Sequence, residues 1–252
     1  MKDKRIGIIK DLIEKNGRMS LEELGERFPG VSSMTLRRDL LALEEAGVLV
    51  RVRGGALSVQ ELSKKTEVQF AKRTAVQIAE KKQIAEKAVR LVDPGSSMFI
   101  DSGSSTLYFA KELPDLNYYV STNGIAIAQE LMRKKMPTVM LFGGEVSRNN
   151  MATVGQSCLQ DLSRINIDTA IMAATAFTDD GNFCCGLFAE AEMKRQVLSR
   201  AKKIIMLLDT SKVGKVMPYT FANLSDIDVL VTDGNFPEEL KKRIAAQGVT
   251  II

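Results

Sequence analysis

The sequence predicts an α/β protein in two parts: a small helical domain over residues 1–57 and a larger domain of alternating strands and helices over 76–252, joined by a linker over 58–75. Three observations carry this expectation. The first 57 residues hold three stretches of helical apolar spacing, separated by Gly, Pro and Ser signals. From Val76 onward, short apolar runs alternate with amphipathic stretches, the pattern of a mainly parallel sheet. The basic excess sits at the start: residues 1–65 hold 13 Lys and Arg against 10 Asp and Glu, and the rest of the chain 22 against 21.

Ile6, Ile9, Leu12 and Ile13 fall at helical spacing, with Gly17 placed to end the helix. Ser20 and Glu23 form a capping box before Leu21, Leu24 and Phe28, and Pro29-Gly30 closes that short second helix. Ser32 caps a third, which runs through Met34, Leu36, Leu40, Leu41 and Leu43 to Gly47. Val48, Val50 and Val52 then alternate with Leu49, Arg51 and Arg53 before Gly54-Gly55, giving a strand and tight turn whose arginines project from the exposed face. Together these elements make a winged helix-turn-helix. Ser58 to Ala75 is polar, lacks a clear period and contains Lys64-Lys65, so it reads as the linker. Strands are then expected at Met98–Ile100, Tyr118–Ser121, Val139–Phe142, Thr169–Ala173, Ile204–Leu208, Val229–Val231 and Val249–Ile252. In such a sheet the ligand crevice lies outside the carboxyl ends of the strands.

Composition narrows the chemistry. The chain has no histidine, which removes Ser-His-Asp catalysis, Cys-His pairs and every HExxH-type site. Cys158, Cys184 and Cys185 are too few for a disulfide framework and lack paired C-x-x-C spacing, so no metal or cofactor is expected and the thiols are taken as reduced. No apolar run approaches the roughly 18 residues of a membrane helix. Lys10 and Asp11 interrupt Ile6–Leu12 as a signal segment, so a cytoplasmic protein without a membrane partner is expected.

The second helix of a helix-turn-helix enters the major groove of DNA with its first turns. Here these carry Ser33, Thr35, Arg37 and Arg38. Adjacent helical residues point about 100° apart, so one arginine suits base edges and the other a phosphate. Arg51 and Arg53 of the wing extend that basic face, and Asp39 is placed to pair with a neighbouring arginine. In the larger domain, Asp101, Ser102, Gly103, Ser104, Ser105 and Thr106 follow a strand and open a helix, an arrangement in which backbone amides and hydroxyls surround a phosphate. Asn123, Gly143-Gly144 and Lys212 stand at other strand ends and complete the candidate anion site.

These residues carry a specific resemblance. Val31 to Leu40, followed by Leu43-Glu44-Glu45-Ala46-Gly47 and Arg51-Val52-Arg53-Gly54-Gly55-Ala56, resembles the signature of the DeoR family of bacterial transcription regulators. Asp101 to Thr106, Thr122-Asn123, Gly143-Gly144, Glu192-Met193-Lys194-Arg195, Asp209-Thr210-Ser211-Lys212 and Thr232-Asp233 follow in the family's order. The resemblance implies a winged helix-turn-helix joined to a C-terminal α/β sensor domain of the ribose-phosphate-isomerase and glucosamine-phosphate-deaminase type, which binds phosphorylated sugars. It implies a repressor of carbohydrate-metabolism genes that binds double-stranded operator DNA. One small reading head contacts only a few base pairs, so a homo-oligomer, dimer or tetramer, is expected. The chain departs from the family pattern at Arg53, usually histidine, at Ala173 and Ala176, usually glycine, and at Cys184-Cys185, usually a threonine pair. The alternative is a sugar-phosphate isomerase or deaminase, with Asp101, Glu192 or Asp209 as base and Lys212 as electrophile.

Overall fold

The computed structural model describes residues 2–45, 49–52, 54–58 and 70–252. Arg53 and most of the 58–75 segment therefore lie outside the described residues. The chain divides into two compact units, Met1–Val68 and Gln69–Ile252.

The first unit runs α1 (Lys2–Asn16), β1 (Arg18–Ser20), α2 (Leu21–Arg27), α3 (Ser33–Glu45), β2 (Leu49–Val52) and β3 (Gly55–Ser58). The strands form an antiparallel sheet in the order β1-β3-β2. The sequence reading missed β1, three residues too short to show alternation. The capping box forms as expected: Glu23 N donates to Ser20 Oγ at 3.1 Å, and Ser20 N donates to Glu23 Oε2 at 2.6 Å. Ser32 Oγ accepts from Thr35 N at 3.2 Å and starts α3. Ile9, Ile13, Leu24, Leu36, Leu40, Leu43 and Leu49 then meet in one core. Leu49 has the strand parity of exposed Arg51 yet is buried in this core.

The second unit begins with α4 (Phe70–Thr74), inside the stretch read as linker; Phe70 is buried in this unit's own core. Then come α5 (Ile78–Ala88), β4 (Ser97–Ile100), α6 (Ser104–Glu112), β5 (Tyr119–Thr122), α7 (Ile125–Leu131) and β6 (Thr138–Leu141). A hairpin of β7 (Glu145–Ser147) and β8 (Ala152–Val154) precedes α8 (Gln156–Ser163) and β9 (Ile167–Ala173). The chain continues through β10 (Ala176–Phe177), β11 (Asn182–Cys185), α9 (Phe188–Arg200), β12 (Ala201–Leu208), β13 (Tyr219–Asn223), β14 (Val229–Thr232), α10 (Glu238–Ala245) and β15 (Thr250–Ile251).

Seven strands pair in parallel in the order β15-β14-β12-β9-β4-β5-β6. One core, containing Ile84, Ala88, Phe109, Ile127 and Leu131, joins α5, α6 and α7 to one face of the sheet. The other, containing Leu162, Ala191, Val197 and Ile244, joins α8, α9 and α10 to the opposite face. This three-layer α/β unit brings the ends of β4, β9 and β12 to one edge, where loops gather. A small antiparallel sheet, β10-β11-β13, lies beside it.

Candidate functional site

In the first unit Ser33, Arg37 and Arg38 are exposed on α3, while Leu36 and Leu40 on its other side are buried. Thr35 is half-buried, its hydroxyl 2.9 Å from that of Ser32. Asp39 does not hold Arg37 or Arg38. It is buried and takes a forked contact from Arg5 of α1, Nε to Oδ2 at 2.6 Å and Nη2 to Oδ1 at 3.3 Å. A helix buries one side, so Asp39 faces α1 while the two arginines face solvent. The Asp39 hydrogen bond keeps the Arg5 guanidinium above its ordinary pKa. Arg51 is anchored to α3: its N and Nε donate to Glu44 at 2.9 and 2.6 Å. These bonds hold Glu44 below the usual carboxylate range, the backbone donor contributing most. The wing strand is thereby tied to the end of the helix that presents Arg37 and Arg38.

In the second unit, a small cleft at the carboxyl ends of the strands is lined by Ser102, Gly103, Ser104 and Ser105 from the β4–α6 turn. Ala173 at the end of β9, Ala174 and Thr175 after it, Glu190 and Lys194 of α9, Lys212, and Arg73 with Asn150 complete it. Gly103 caps α6 without a side-chain bond to the first-turn amides, so helix N–H groups are directed at this point. Arg73, Lys194 and Lys212 line the cleft with Glu190, and Asp101 behind it contacts Lys194, which leaves an excess of one positive charge for an anion. Its enclosed space is about 20 Å³, the size of a single water. The departure at Ala173 contributes to this tightness, since a Cβ on Gly103 would stand 2.8 Å from the Ala173 methyl.

The remaining candidates take other places. Asp101 and Thr106 build the turn: Thr106 Oγ1 accepts from Gly103 N at 2.8 Å, and Asp101 Oδ2 accepts from Ala173 N at 3.1 Å. Asn123 is buried and donates to Thr153 O at 3.0 Å, which ties β5 to the β7–β8 hairpin. Gly143 and Gly144 are exposed and outside the cleft lining. Gly144 has φ 140°, and a Cβ there would meet the Val154 carbonyl at 2.5 Å, so hairpin packing accounts for this glycine. Lys212 is half-buried at the cleft, on the turn Thr210–Lys212 that Asp209 caps through Ser211. Glu192, drafted as a base in the enzyme alternative, pairs with Arg195 at the surface. Cys184 and Cys185 are buried in β11, as small hydrophobes are.

Sequence reasoning did not assign the charged network behind the cleft. Buried Lys194 contacts Asp101, lies 3.3 Å from Glu190 and donates to Ala173 O at 2.8 Å. Asn150 extends the chain, donating to Glu190 at 2.9 Å and accepting from Arg73 at 2.8 Å. Burial alone would lower the Lys194 ammonium, but Asp101 and Glu190 outweigh it and hold the group above the ordinary lysine value. Lys81 behaves oppositely: burial brings it down to about 8, offset in part by Asp209 and reinforced by Lys212. A sequence signal for the network exists, since Glu190 and Lys194 share the helical spacing of buried Val197.

The comparisons with known proteins cover both units. The DeoR-like helix-turn-helix domain matches residues 5–62 and the DeoR C terminal sensor domain matches residues 76–234. An uncharacterized HTH-type transcriptional regulator of Haemophilus influenzae is 31% identical over 242 residues, 96% of this chain and 93% of the relative. The lactose phosphotransferase system repressor of Streptococcus mutans is 33% identical over 247 residues, 96% of each chain. Ribose 5-phosphate isomerase A of Methanocaldococcus jannaschii is similar with a TM-score of 0.40 and 19% identity, over 54% of this chain and 55% of that one. With a reading head and a sensor domain matched in the order the residues predict, the chain belongs to the DeoR family of DNA-binding transcription regulators and is not a sugar-phosphate isomerase or deaminase.

Proposed function

We propose that this chain is a cytoplasmic, homo-oligomeric repressor of carbohydrate-metabolism genes whose operator affinity is set by a phosphorylated sugar in the Ser102–Ser105 cleft. The observation that carries the reading is the cleft itself, where Arg73, Lys194 and Lys212 converge on a helix start at the carboxyl end of a parallel sheet. The repressor named among the relatives supports the direction of control. Ser33, Thr35, Arg37, Arg38, Arg51 and Arg53 contact the operator, with the arginines on base edges and phosphates. The phosphate takes the amides of Ser104 and Ser105 and the cations beside them, and Asp101 and Thr106 hold the turn in shape. Arg73 belongs to the first helix after the 58–69 segment, so a ligand that draws on Arg73 acts on the stretch of chain leading from the reading head.

Titration of operator binding against a panel of sugar phosphates tests this reading. One of them is expected to change affinity roughly 5- to 150-fold, the usual range of coupling between two sites. Replacing both Arg37 and Arg38 by Ala is expected to weaken operator binding by about 1–3 kcal/mol for each base edge left unread. Ser104→Asp puts a carboxylate against the phosphate and should abolish the sugar effect while operator binding remains. Unchanged operator affinity in the double variant defeats the DNA assignment, and a full sugar response in Ser104→Asp defeats the cleft.

A further inference from the structure

We propose that the free edge of β6 is a self-pairing surface through which two copies of this chain join their seven-stranded sheets into one. Among the described residues, β6 is an edge strand, paired with β5 alone. Its bonds to β5 include Thr138 N to Tyr118 O and Phe142 N to Thr122 O, so the backbone groups of residues 138, 140 and 142 point inward. By the alternation of a strand, the N–H and C=O groups of Val139 and Leu141 point outward from the sheet. An edge of this kind is normally blunted by charge, a bulge or a proline within the strand. Thr138-Val139-Met140-Leu141 has none of these, and three of its four residues are exposed.

The second copy fits because of register. Antiparallel pairing about a twofold axis at Met140 sets Val139 opposite the copy's Leu141 and Leu141 opposite its Val139. Each is then a hydrogen-bonded pair, and four outward groups on each chain are satisfied. Pro137 has no N–H and stops the ladder on one side, while Gly143-Gly144 turns the chain away on the other. Exposed Lys135 lies before the strand and exposed Glu145 after it, at positions that this register sets opposite one another, while Arg133 is paired with Glu130 and Lys134 with the Lys111 carbonyl within the chain. Beside the strand, exposed Tyr119 and Met140 line an apolar groove with Thr138 and Ile165, which the copy's Met140 would share. The inference rests on the operator-binding reading in one respect: two reading heads on a palindromic site call for a twofold partner.

The test uses the full chain. Sedimentation is expected to show a dimer at micromolar concentration. Val139→Pro removes an outward donor that makes no bond to β5, and should raise the dimer dissociation constant at least about tenfold. Met140→Cys should form a disulfide with its own copy under mild copper oxidation, because residues in a non-hydrogen-bonded antiparallel pair sit about 4.5 Å apart at Cα. Thr138→Cys, opposite residue 142 of the copy, should not. The native cysteines are buried and do not compete. A monomeric wild type, a dimer indifferent to Val139→Pro, or no Met140→Cys cross-link each overturns the interface. Should Val139→Pro fail to fold, the cross-link decides alone. Operator binding measured in parallel separates the two claims, since a cross-linked dimer that ignores DNA leaves the interface standing and defeats the repressor reading.

Discussion

The two units of this chain use charge in opposite ways. In the first, Arg37 and Arg38 stand in solvent on a helix anchored by Leu36, Leu40 and Leu43. In the second, Lys194 is enclosed between Asp101 and Glu190, and the three together fix the ends of β4 and β9 against α9. An exposed guanidinium can exchange water for a DNA phosphate at little desolvation cost, so its worth appears in binding. An enclosed ammonium has already lost its water, and its worth appears in the stability of the fold. Recognition charge and architectural charge are therefore separable by experiment.

The largest effect expected is that of Lys194→Met, which leaves two buried carboxylates without their cation. The unfolding transition of the second unit should lose about 3–5 kcal/mol in denaturant titration. Adding Asp101→Asn and Glu190→Gln should restore part of that loss, whereas no recovery would mean that the network is not a charge-balanced unit. Alkaline pH adds to the test: the Lys194 group is held above 10.5, so its contribution persists at neutral pH and declines only as pH rises beyond that value.

Lys81 sharpens the comparison from the other direction. Its folded value near 8 lies below the ordinary 10.5, so between these pH values the unfolded chain holds a proton that the folded unit does not. Stability should therefore rise with pH across that window, by up to ~3 kcal/mol from this group. Subtracting the pH profile of Lys81→Met from that of the wild type isolates the contribution. A flat difference would remove the burial argument.

The smallest effect on stability is expected at the surface. Arg51→Ala breaks an ion pair with Glu44 in which both side chains are partly solvated. Its thermal midpoint should match the wild type, while operator affinity falls and the salt dependence of binding becomes shallower. A lowered midpoint with unchanged DNA binding would place Arg51 with the architectural charges.

How much of this was legible depended on whether a residue's role was local. Each of the seven apolar runs read from the sequence falls on a strand of the central sheet: β4, β9, β12 and β14 are written as continuous apolar runs because they are largely buried on both faces, while the edge strands β6 and β15 are apolar although partly exposed. The capping box at Ser20 and Glu23 was equally plain. By contrast β10 has two residues, and β11 buries Phe183, Cys184 and Cys185 in succession, so neither shows the alternation that identifies a half-buried strand. Gly143-Gly144 looked like a phosphate loop because glycine signals a close approach without saying to what, and here the neighbour is the Val154 carbonyl. Lys194 was overlooked for the complementary reason. Its partner Asp101 lies 93 residues away, and charged residues on a helix ordinarily face water.

Strand order also sets a timetable for the newborn protein. β9 lies between β4 and β12, so the middle of the large sheet can close only after residue 173 has been made. The contacts of the small unit, down to Ser58 N bonding Gly17 O, are complete more than a hundred residues earlier in the chain. Translation at about 5–20 residues per second makes that interval on the order of ten seconds. For that time a growing chain carries a finished reading head on an unfinished tether. Any pairing of heads through the second unit, and any response to a ligand in its cleft, must wait for the strand that enters the sheet from the middle.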